Sequence, residues 1–313
     1  MPVDLREAPD PADVRAAYRA CALCPRACGV DRTRGERGIC GASAQVRIGR
    51  AALHWWEEPC LVGERGSGAV FFSHCPLGCV YCQNRSLVEG AGVAVSDDHL
   101  AEVFLRLQNG EHAANINLVT PTHYTPTIAA VLAPLRASGV LHIPVVYNTS
   151  SYDAPAALAL MDGLVDVYLA DFKYASRTLA RRLSHARTYP DDACRAIDEM
   201  VRQVPAWEMG DDGLLRRGVI VRHLVLPGHI EESLRVLDFL WARYGSTVRL
   251  SIMNQYTPLE GNLARFGLDG VVSAEEYERV LDYADDLGIE DYFWQEGGAA
   301  TESFIPIFDG TGV

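Results

Sequence analysis

Short apolar runs alternate with stretches of helical spacing along the chain from residue 69 onward. The runs have the length of buried β-strands and cover residues 69–73, 115–120, 142–148, 164–172, 218–226 and 247–253. The other stretches repeat apolar residues every three or four positions, which predicts amphipathic helices. They cover residues 97–108, 126–137, 155–161, 232–244 and 273–288. Ser96 and Ser273 are the expected N-caps, and Gly139 and Gly288 are the expected helix ends.

This succession of strands and helices predicts a parallel sheet with right-handed crossovers. About 220 residues for six units are too few for a closed eight-stranded barrel, so we predict an α/β fold with a partial (β/α)6 TIM-like barrel. We expect an irregular Cys-rich metal-binding module over residues 1–65, which includes a short helix over about Pro11–Cys21. The barrel would cover residues 66–290, and residues 291–313 would form a C-terminal tail that packs on it. Chemistry in such a barrel lies at the carboxyl ends of the strands.

The charge of the chain argues against two classes of partner. It has 41 acidic residues against 28 basic ones, a net charge of −13. Nucleic acid and anionic lipid are therefore unexpected partners. No apolar stretch approaches the 18 residues of a membrane span, and the first 20 residues lack the apolar core of a signal peptide. These features predict a cytoplasmic protein.

Cysteine is the most informative residue type in the sequence. Seven of the nine cysteines fall into two tight groups within the first 82 residues. An odd number of crowded cysteines in an expected cytoplasmic chain favours metal ligation over a disulfide framework. The nine are Cys21, Cys24, Cys28, Cys40, Cys60, Cys75, Cys79, Cys82 and Cys194.

Cys75, Cys79 and Cys82 occupy one loop directly after the first predicted strand. Three thiolates can hold a [4Fe–4S] cluster at three irons and leave the fourth iron open to a small molecule. A zinc site with His74 as fourth ligand is the alternative, but His74 is adjacent to Cys75 and badly placed to complete a tetrahedron. The position of the loop at a strand end favours the cluster.

This CxxxCxxC spacing, with Tyr81 before the last cysteine, resembles the radical S-adenosylmethionine (SAM) superfamily. The chain is most similar to the pyruvate formate-lyase activating enzyme-like subgroup, and the similarity covers nearly the whole chain. The segments that carry it are CALCPRACGVDR, LHWWEEP, GSGAVFFSHCPLGCVYCQN, INLVTPTHY, PVVYNTSSY, VYLADFKY and RHLVLPGH. The resemblance implies a partial barrel, a [4Fe–4S] cluster that binds SAM, and reductive cleavage of SAM to a 5′-deoxyadenosyl radical.

Asp171 and Lys173 end the fourth predicted strand and lie on one face of it. Lys173 is the single lysine among 28 basic residues, so the position is expected to require an ammonium group and not a planar guanidinium. The two could also form a structural ion pair. The family resemblance implies that this pair contacts the methionine part of SAM.

Polar residues at other strand ends complete the expected SAM site. Asn148 and Ser150 follow the third strand, and Arg222 is the matching polar residue of the fifth. The second strand of the family ends in a Gly-Gly-Glu motif, which this chain replaces. The replacing residues are Thr120, Thr122 and His123. Loop capping is an equally good explanation for any one of these strand-end residues, and His123 could simply be a packed histidine.

Cys21, Cys24, Cys28 and Cys40 form a complete set of four thiolates ahead of the barrel. Four such ligands suit either a structural Zn²⁺ or a second [4Fe–4S] cluster. The resemblance favours an auxiliary cluster. Cys60 is a candidate substitute ligand, whereas Cys194 is expected to be a plain thiol.

The sequence therefore predicts a radical SAM enzyme, an oxidoreductase or a sulfur-inserting transferase, that abstracts hydrogen from a small-molecule substrate. We expect the auxiliary cluster near that substrate, where it could also donate sulfur. The alternative is an activase for a glycyl-radical enzyme, with a protein as substrate. A zinc-binding interaction protein is a remote alternative. Flavodoxin or ferredoxin would supply the electron.

Overall fold

The structure is a computed structural model that describes residues 14–258, 263–295 and 306–313. Its centre is a sheet of ten strands. The strands are β1 (Arg47–His54), β2 (Ser67–Phe72), β3 (Val93–Ala94), β4 (Ile116–Val119), β5 (Val145–Thr149), β6 (Val167–Asp171), β7 (Glu208–Met209), β8 (Leu215–Leu224), β9 (Arg249–Met253) and β10 (Tyr292–Trp294).

The sheet has the topology of an open α/β barrel. Its strand order is β10-β9-β8-β6-β5-β4-β2-β1-β3, with β7 paired to β8. Strands β2, β4, β5, β6, β8, β9 and β10 are parallel, whereas β1 is antiparallel to both β2 and β3. The predicted α/β fold with a partial TIM-like barrel is therefore confirmed.

Helices connect the parallel strands. They are α1 (Pro59–Val62), α2 (Arg85–Val88), α3 (Asp97–Asn109), α4 (Thr125–Ala137), α5 (Pro155–Leu158), α6 (Arg177–Ser184), α7 (Tyr189–Gln203), α8 (Ile230–Tyr244) and α9 (Ala274–Asp286). Ser96 accepts a hydrogen bond from the His99 amide at the start of α3, and Ser273 forms a capping box with Glu276 at the start of α9. Both predicted N-caps are therefore present.

The parallel strands are buried on both faces, as helices on one side and packed side chains on the other require. Every residue of β2, β4 and β5 is buried. Inside the barrel, one apolar cluster includes Val146, Val167 and Ile220. This packing fixes the strand ends, and hence the loops that follow them, in a rigid frame.

Two parts of the sheet lie outside the predicted barrel. Strand β1 belongs to the segment predicted as an irregular module, yet it pairs with β2 from Ile48 to His54, with one register shift between Ile48 and Arg50. The expected boundary at residue 65 therefore does not coincide with an edge of the sheet. Strand β10 adds a seventh parallel strand beside β9.

The predicted helix over Pro11–Cys21 begins outside the described residues, and its described part contains a 3-10 turn at Ala16–Tyr18.

The last described segment, residues 306–313, packs along β1. The Gly310 amide donates to the Gly49 carbonyl at 2.9 Å, and the Ala51 amide donates to the Thr311 carbonyl at 3.0 Å. The Phe308 ring contacts the Phe71 ring edge to face, with centroids 5.4 Å apart.

No helix in the described parts of the chain is long and apolar enough to cross a membrane.

Candidate active site

A cavity of about 380 Å³ opens at the carboxyl ends of the parallel strands. This is the edge where chemistry is expected in a barrel of this kind. The loop after β2 and the ends of β4, β5, β6, β8 and β9 all contribute to its wall. Its lining includes Cys75, Cys79, Tyr81, Cys82, Thr120, Asn148, Ser150, Asp171, Lys173, Arg222 and Ser251.

The loop after β2 brings three thiols to one side of the cavity. Cys75, Cys79 and Cys82 all line the wall, as their spacing predicts. Gly78, at φ 64°, allows the tight turn between the first two cysteines. The Ser184 hydroxyl donates to the Cys79 sulfur at 3.1 Å, and the Val80 amide donates to the Leu183 carbonyl at 2.8 Å, so α6 supports the loop from outside.

The three thiols suit an iron–sulfur cluster. Burial raises the pKa of Cys75 to about 11 and that of Cys82 to about 12, so a positive group is needed to hold them as thiolates. Within the described parts of the chain, no three His, Cys, Asp or Glu side chains are arranged to hold a single metal ion. Ligands of a four-iron cluster each bind a different iron, so they need not converge on one point.

Opposite the thiols, charged side chains from β6 and β8 form a continuous network. The Lys173 ammonium donates to Asp171 Oδ2 at 2.6 Å, and Arg222 Nε donates to Asp171 Oδ1 at 2.9 Å. Arg222 also donates to Glu57 Oε2 at 2.9 Å and to Asn148 Oδ1 at 2.7 Å. Asp171 and Arg222 are direct neighbours in the register of β6 and β8, which explains why their side chains meet.

The side chains of the network stay ionised although they are buried. Burial disfavours the Asp171 carboxylate, but Lys173 and Arg222 together hold the pKa of Asp171 below its usual value. Burial likewise disfavours the Lys173 ammonium, but the attraction of Asp171 holds the pKa of Lys173 above its usual value. The site therefore presents a fixed carboxylate between two fixed cations, a geometry that can orient a zwitterionic ligand.

Sequence reasoning missed the two acidic residues that follow β1. Glu57 Oε1 accepts hydrogen bonds from Asn117 at 3.0 Å and Asn148 at 3.1 Å, which makes Glu57 part of the network. Glu58 lines the cavity and is 7% exposed. Burial and the neighbouring Glu57 raise the pKa of Glu58 above its usual value, although the charge of Arg222 opposes them. No local pattern marked them, because strand β1 was not predicted and acidic side chains are ordinarily exposed to solvent.

Other cavity residues also come from segments that the sequence did not single out. His54, at the end of β1, lines the wall, and burial followed by the charges of Arg50 and Arg222 lowers its pKa to about 4. Trp56, Phe293 and Trp294 add aromatic surface. Their contribution depends on the pairing of β1 and β10 with the barrel, which the sequence pattern did not indicate.

The residues that replace the Gly-Gly-Glu motif separate into two groups. Thr120 lines the cavity and has φ 60°, which a β-branched residue rarely adopts. Thr122 does not line the cavity: it is 1% exposed, and its hydroxyl lies 3.4 Å from that of Thr149. His123 is also buried, and its Nε2 bonds to the Ser73 carbonyl at 2.7 Å. Burial, followed by the charge of Arg32, lowers the pKa of His123 to about 3, so it stays neutral.

The four N-terminal cysteines lie together but away from the cavity. Cys21, Cys28 and Cys40 all act electrostatically on Cys24, and burial raises the pKa of Cys24 to about 12. A Cβ atom at Gly38 would lie 2.8 Å from the Cys28 sulfur, so this glycine leaves room for the thiol. None of the four lines the cavity, which differs from the expectation that their module faces the substrate.

The remaining two cysteines belong to neither group. Cys60 packs in the apolar cluster inside the barrel with Leu61 and Ile220 and does not line the cavity. Burial raises the pKa of Cys60 to about 12. Cys194 lies on α7 and packs against the main core. This placement does not support Cys60 as a substitute ligand and agrees with a plain thiol at Cys194.

Comparisons with known proteins give the following similarities. No protein-family model matches the chain. The sequence is 27% identical over 286 residues to an uncharacterized protein of Methanocaldococcus jannaschii, and the alignment covers 87% of this chain and 76% of that protein.

Two solved structures are similar to this chain. SuiB of Streptococcus suis has a TM-score of 0.47 and 16% sequence identity, with 74% of this chain and 48% of SuiB covered. A radical SAM methyltransferase of Sphaerobacter thermophilus has a TM-score of 0.46 and 15% identity, with 73% of this chain and 65% of that protein covered. The chain thus spans about half the length of SuiB.

Proposed function

We propose that this chain is a radical SAM enzyme that binds a [4Fe–4S] cluster through Cys75, Cys79 and Cys82 and abstracts hydrogen from a small-molecule substrate. One observation carries the proposal: the three thiols of a single loop line the same cavity as the Asp171–Lys173–Arg222 network. Cys75, Cys79 and Cys82 would hold such a cluster with one iron open, and the bound cluster would supply the electron that breaks the S–C bond of SAM.

The residues of this chain would position SAM in defined ways. The Lys173 ammonium and the Arg222 guanidinium form one charged wall, where a ligand carboxylate finds cationic donors. Tyr81, Thr120, Asn148 and Ser150 supply further polar groups to the cavity. The strand ends that carry them belong to a rigid sheet, so they are organised before the ligand arrives.

The lining of the cavity supports a small-molecule substrate over a protein substrate. Trp56 and Trp294 provide aromatic walls of the kind that such sites use. The glycyl-radical activase remains the competing function, because its substrate is also attacked by the same radical chemistry.

One experiment tests both the cleavage of SAM and the class of substrate. Anaerobically reconstituted protein is incubated with SAM and dithionite, and 5′-deoxyadenosine is measured. We expect slow formation without substrate and faster formation when the low-molecular-weight fraction of a cell extract is added. Stimulation confined to the macromolecular fraction would favour the activase, and no 5′-deoxyadenosine in any arm would overturn the proposal.

Exchange of the single lysine tests whether its geometry is required. Lys173→Arg keeps the charge but replaces a compact ammonium with a planar fork, so the contact to SAM should weaken. We expect SAM affinity to fall roughly tenfold, the loss of one charged hydrogen bond. Calorimetric titration of SAM into reconstituted protein measures this, with unchanged iron content as the control. Unaltered affinity and activity would show that Lys173 is incidental.

The N-terminal cysteines should hold a second cluster. Reconstituted protein is then expected to contain about eight irons per chain, and the variant with Cys21, Cys24, Cys28 and Cys40 all changed to Ala about four. That variant should still cleave SAM with dithionite, because the other three thiols are intact. Elemental analysis decides: about four irons plus one zinc in the unaltered protein would assign the module to structural zinc.

A further inference from the structure

Three buried hydroxyl groups form a chain that ends at the Cys79 sulfur. The Ser184 hydroxyl donates to this sulfur at 3.1 Å, and the Tyr174 hydroxyl lies 2.8 Å from that of Ser184. The Tyr174 and Tyr81 hydroxyls form a further hydrogen bond of 2.8 Å. Ser184 and Tyr174 are fully buried, and Tyr81 is 6% exposed. We call Ser184, Tyr174 and Tyr81 the hydroxyl chain.

Cys79 differs from the other two thiols of the cavity in the kind of donor that reaches its sulfur. The sulfurs of Cys75 and Cys82 accept hydrogen bonds from the backbone of their own loop. The sulfur of Cys79 accepts from a side chain, the hydroxyl of Ser184. A side-chain donor can be removed by substitution while the backbone of the loop stays as it is, so the effect of this hydrogen bond can be measured separately.

The hydroxyl chain can direct one proton into each of its links. A hydroxyl carries one proton and rotates freely, whereas a thiolate can only accept. With a thiolate at Cys79, Ser184 donates to the sulfur. Tyr174 then donates to Ser184, and Tyr81 donates to Tyr174. Each donor is polarised by the one behind it, which strengthens the hydrogen bond to the buried sulfur.

Contacts on both sides of Ser184 hold its hydroxyl in place. Helix α6 ends at Ser184, where Arg26 Nη2 donates to the Ser184 carbonyl at 3.0 Å and Arg26 Nη1 to the His185 carbonyl at 2.6 Å. The Val80 amide, next to Cys79, donates to the Leu183 carbonyl at 2.8 Å. The end of α6 is therefore fixed against the thiol loop before anything binds there.

Arg26 also bonds directly to the thiol loop. Its Nε donates to the Pro76 carbonyl and its Nη2 to the Leu77 carbonyl, both at 3.2 Å. Arg26 lies between Cys24 and Cys28, so the N-terminal cysteine segment packs behind the loop, on the side away from the cavity. One guanidinium group thus holds the loop and the end of α6 at a fixed separation, which keeps the Ser184 hydroxyl within reach of the sulfur.

We propose that Ser184 is a positioning residue, which acts through Cys79 and raises the reduction potential of the iron–sulfur cluster held by Cys75, Cys79 and Cys82. This proposal rests on the proposed function. Uptake of one electron from dithionite makes the site more negative, and a hydroxyl that donates to a ligand sulfur stabilises this added charge. The step is a one-electron reduction, in which dithionite is oxidised and no bond of the protein forms or breaks.

Removal of the Ser184 hydroxyl tests the proposal. Reconstituted Ser184→Ala protein is titrated anaerobically with dithionite in the presence of mediator dyes, and the reduced cluster is measured by electron paramagnetic resonance. At a fixed potential near the midpoint, we expect the ratio of reduced to oxidised cluster to fall at least about threefold. With 59 mV per tenfold change for one electron, this corresponds to a midpoint about 30 mV lower.

Three further variants separate the hydrogen bond from the fold. Ser184→Thr keeps a hydroxyl and should keep the potential of the unaltered protein. Tyr174→Phe keeps the ring but removes the group that orients the Ser184 hydroxyl, so we expect a smaller decrease of the same sign. Tyr168→Phe is the matched control, because it also removes a buried hydroxyl, one that donates to Gln203 and has no bond to the hydroxyl chain. It should leave the potential unchanged.

The outcomes separate this proposal from the proposed function. An unchanged midpoint in Ser184→Ala, or an equal decrease in Tyr168→Phe, would overturn the role of Ser184 and leave the proposed function intact. If Ser184→Ala takes up no iron, Tyr174→Phe decides, and an unchanged midpoint there would overturn the role in the same way. Absence of 5′-deoxyadenosine from the fully reduced, unaltered protein would overturn the proposed function, whatever the potentials are.

Discussion

Replacing Cys75, Cys79 and Cys82 together by alanine is expected to remove about four irons per chain and to abolish 5′-deoxyadenosine formation. All three thiols face the same cavity, and no other cysteine lines it within the described residues. The remaining cysteines therefore cannot take over as ligands without moving the loop. Iron content and 5′-deoxyadenosine after dithionite reduction are the two measurements.

Cys194→Ala is the matched control for this triple variant. It removes a partly buried thiol from α7, away from both cysteine groups, and should leave iron content and SAM cleavage unchanged. Continued SAM cleavage by the triple variant would contradict the central assignment. A loss of all iron, including that of the N-terminal module, would instead indicate that the loop supports both sites through Arg26.

Arg222→Met is expected to lower the free energy of unfolding by about 3–5 kcal/mol, because it leaves two buried carboxylates with one cation fewer. Arg222 is 13% exposed and bonds to Asp171, Glu57 and Asn148. Methionine keeps most of the volume, so the loss reports charge and hydrogen bonding. Denaturant unfolding with an unchanged m-value measures it.

The pH dependence of this difference has a definite sign. In the unaltered protein the pKa of Asp171 lies below its usual value, so the stabilisation is present at neutral pH and lost as pH falls through the folded-state pKa. Without Arg222, one positive charge fewer offsets the burial of Asp171, so its pKa is higher and its charged form is less favoured. The difference between the two proteins should therefore shrink as pH falls through the usual carboxyl pKa of about 4 and below it.

An exposed ion pair provides the control for Arg222. Arg243 bonds to Asp198 on the surface with 44% and 42% of the side chains exposed, so Arg243→Met should cost less than about 1 kcal/mol. A similar loss in both variants would contradict a special role for the buried network. A difference that grows on acidification would contradict the assignment to Asp171.

Helix α6 shows how local patterns mislead. It lies between β6 and β8, in a stretch where the sequence pattern predicted no helix. Helix α6 has arginines at 177, 181 and 182 on an exposed side and Ala180 and Leu183 buried. The helix is only eight residues long and mostly polar, so it contains few apolar residues to mark it in the sequence, and packing against the barrel stabilises it.

The net charge of the whole chain does not reveal that two of its segments are basic. A net charge of −13 argues against polyanionic partners and by itself predicts an acidic surface. Arginines from residues 19–37 and 181–187 are far apart in the sequence, and Arg26 brings their segments together through its bond to the His185 carbonyl.

The sequence by itself determined the thiol loop, the six parallel strands β2, β4, β5, β6, β8 and β9, and the position of Asp171 and Lys173 at a strand end. Each of these depends on residues close in the chain, where spacing and alternation fix the geometry. The tertiary structure alone decided that Glu57 meets Arg222, that Thr122 is buried while Thr120 lines the cavity, and that the N-terminal cysteines lie behind the loop. These depend on strand pairing and packing between segments up to 165 residues apart, which no local pattern specifies.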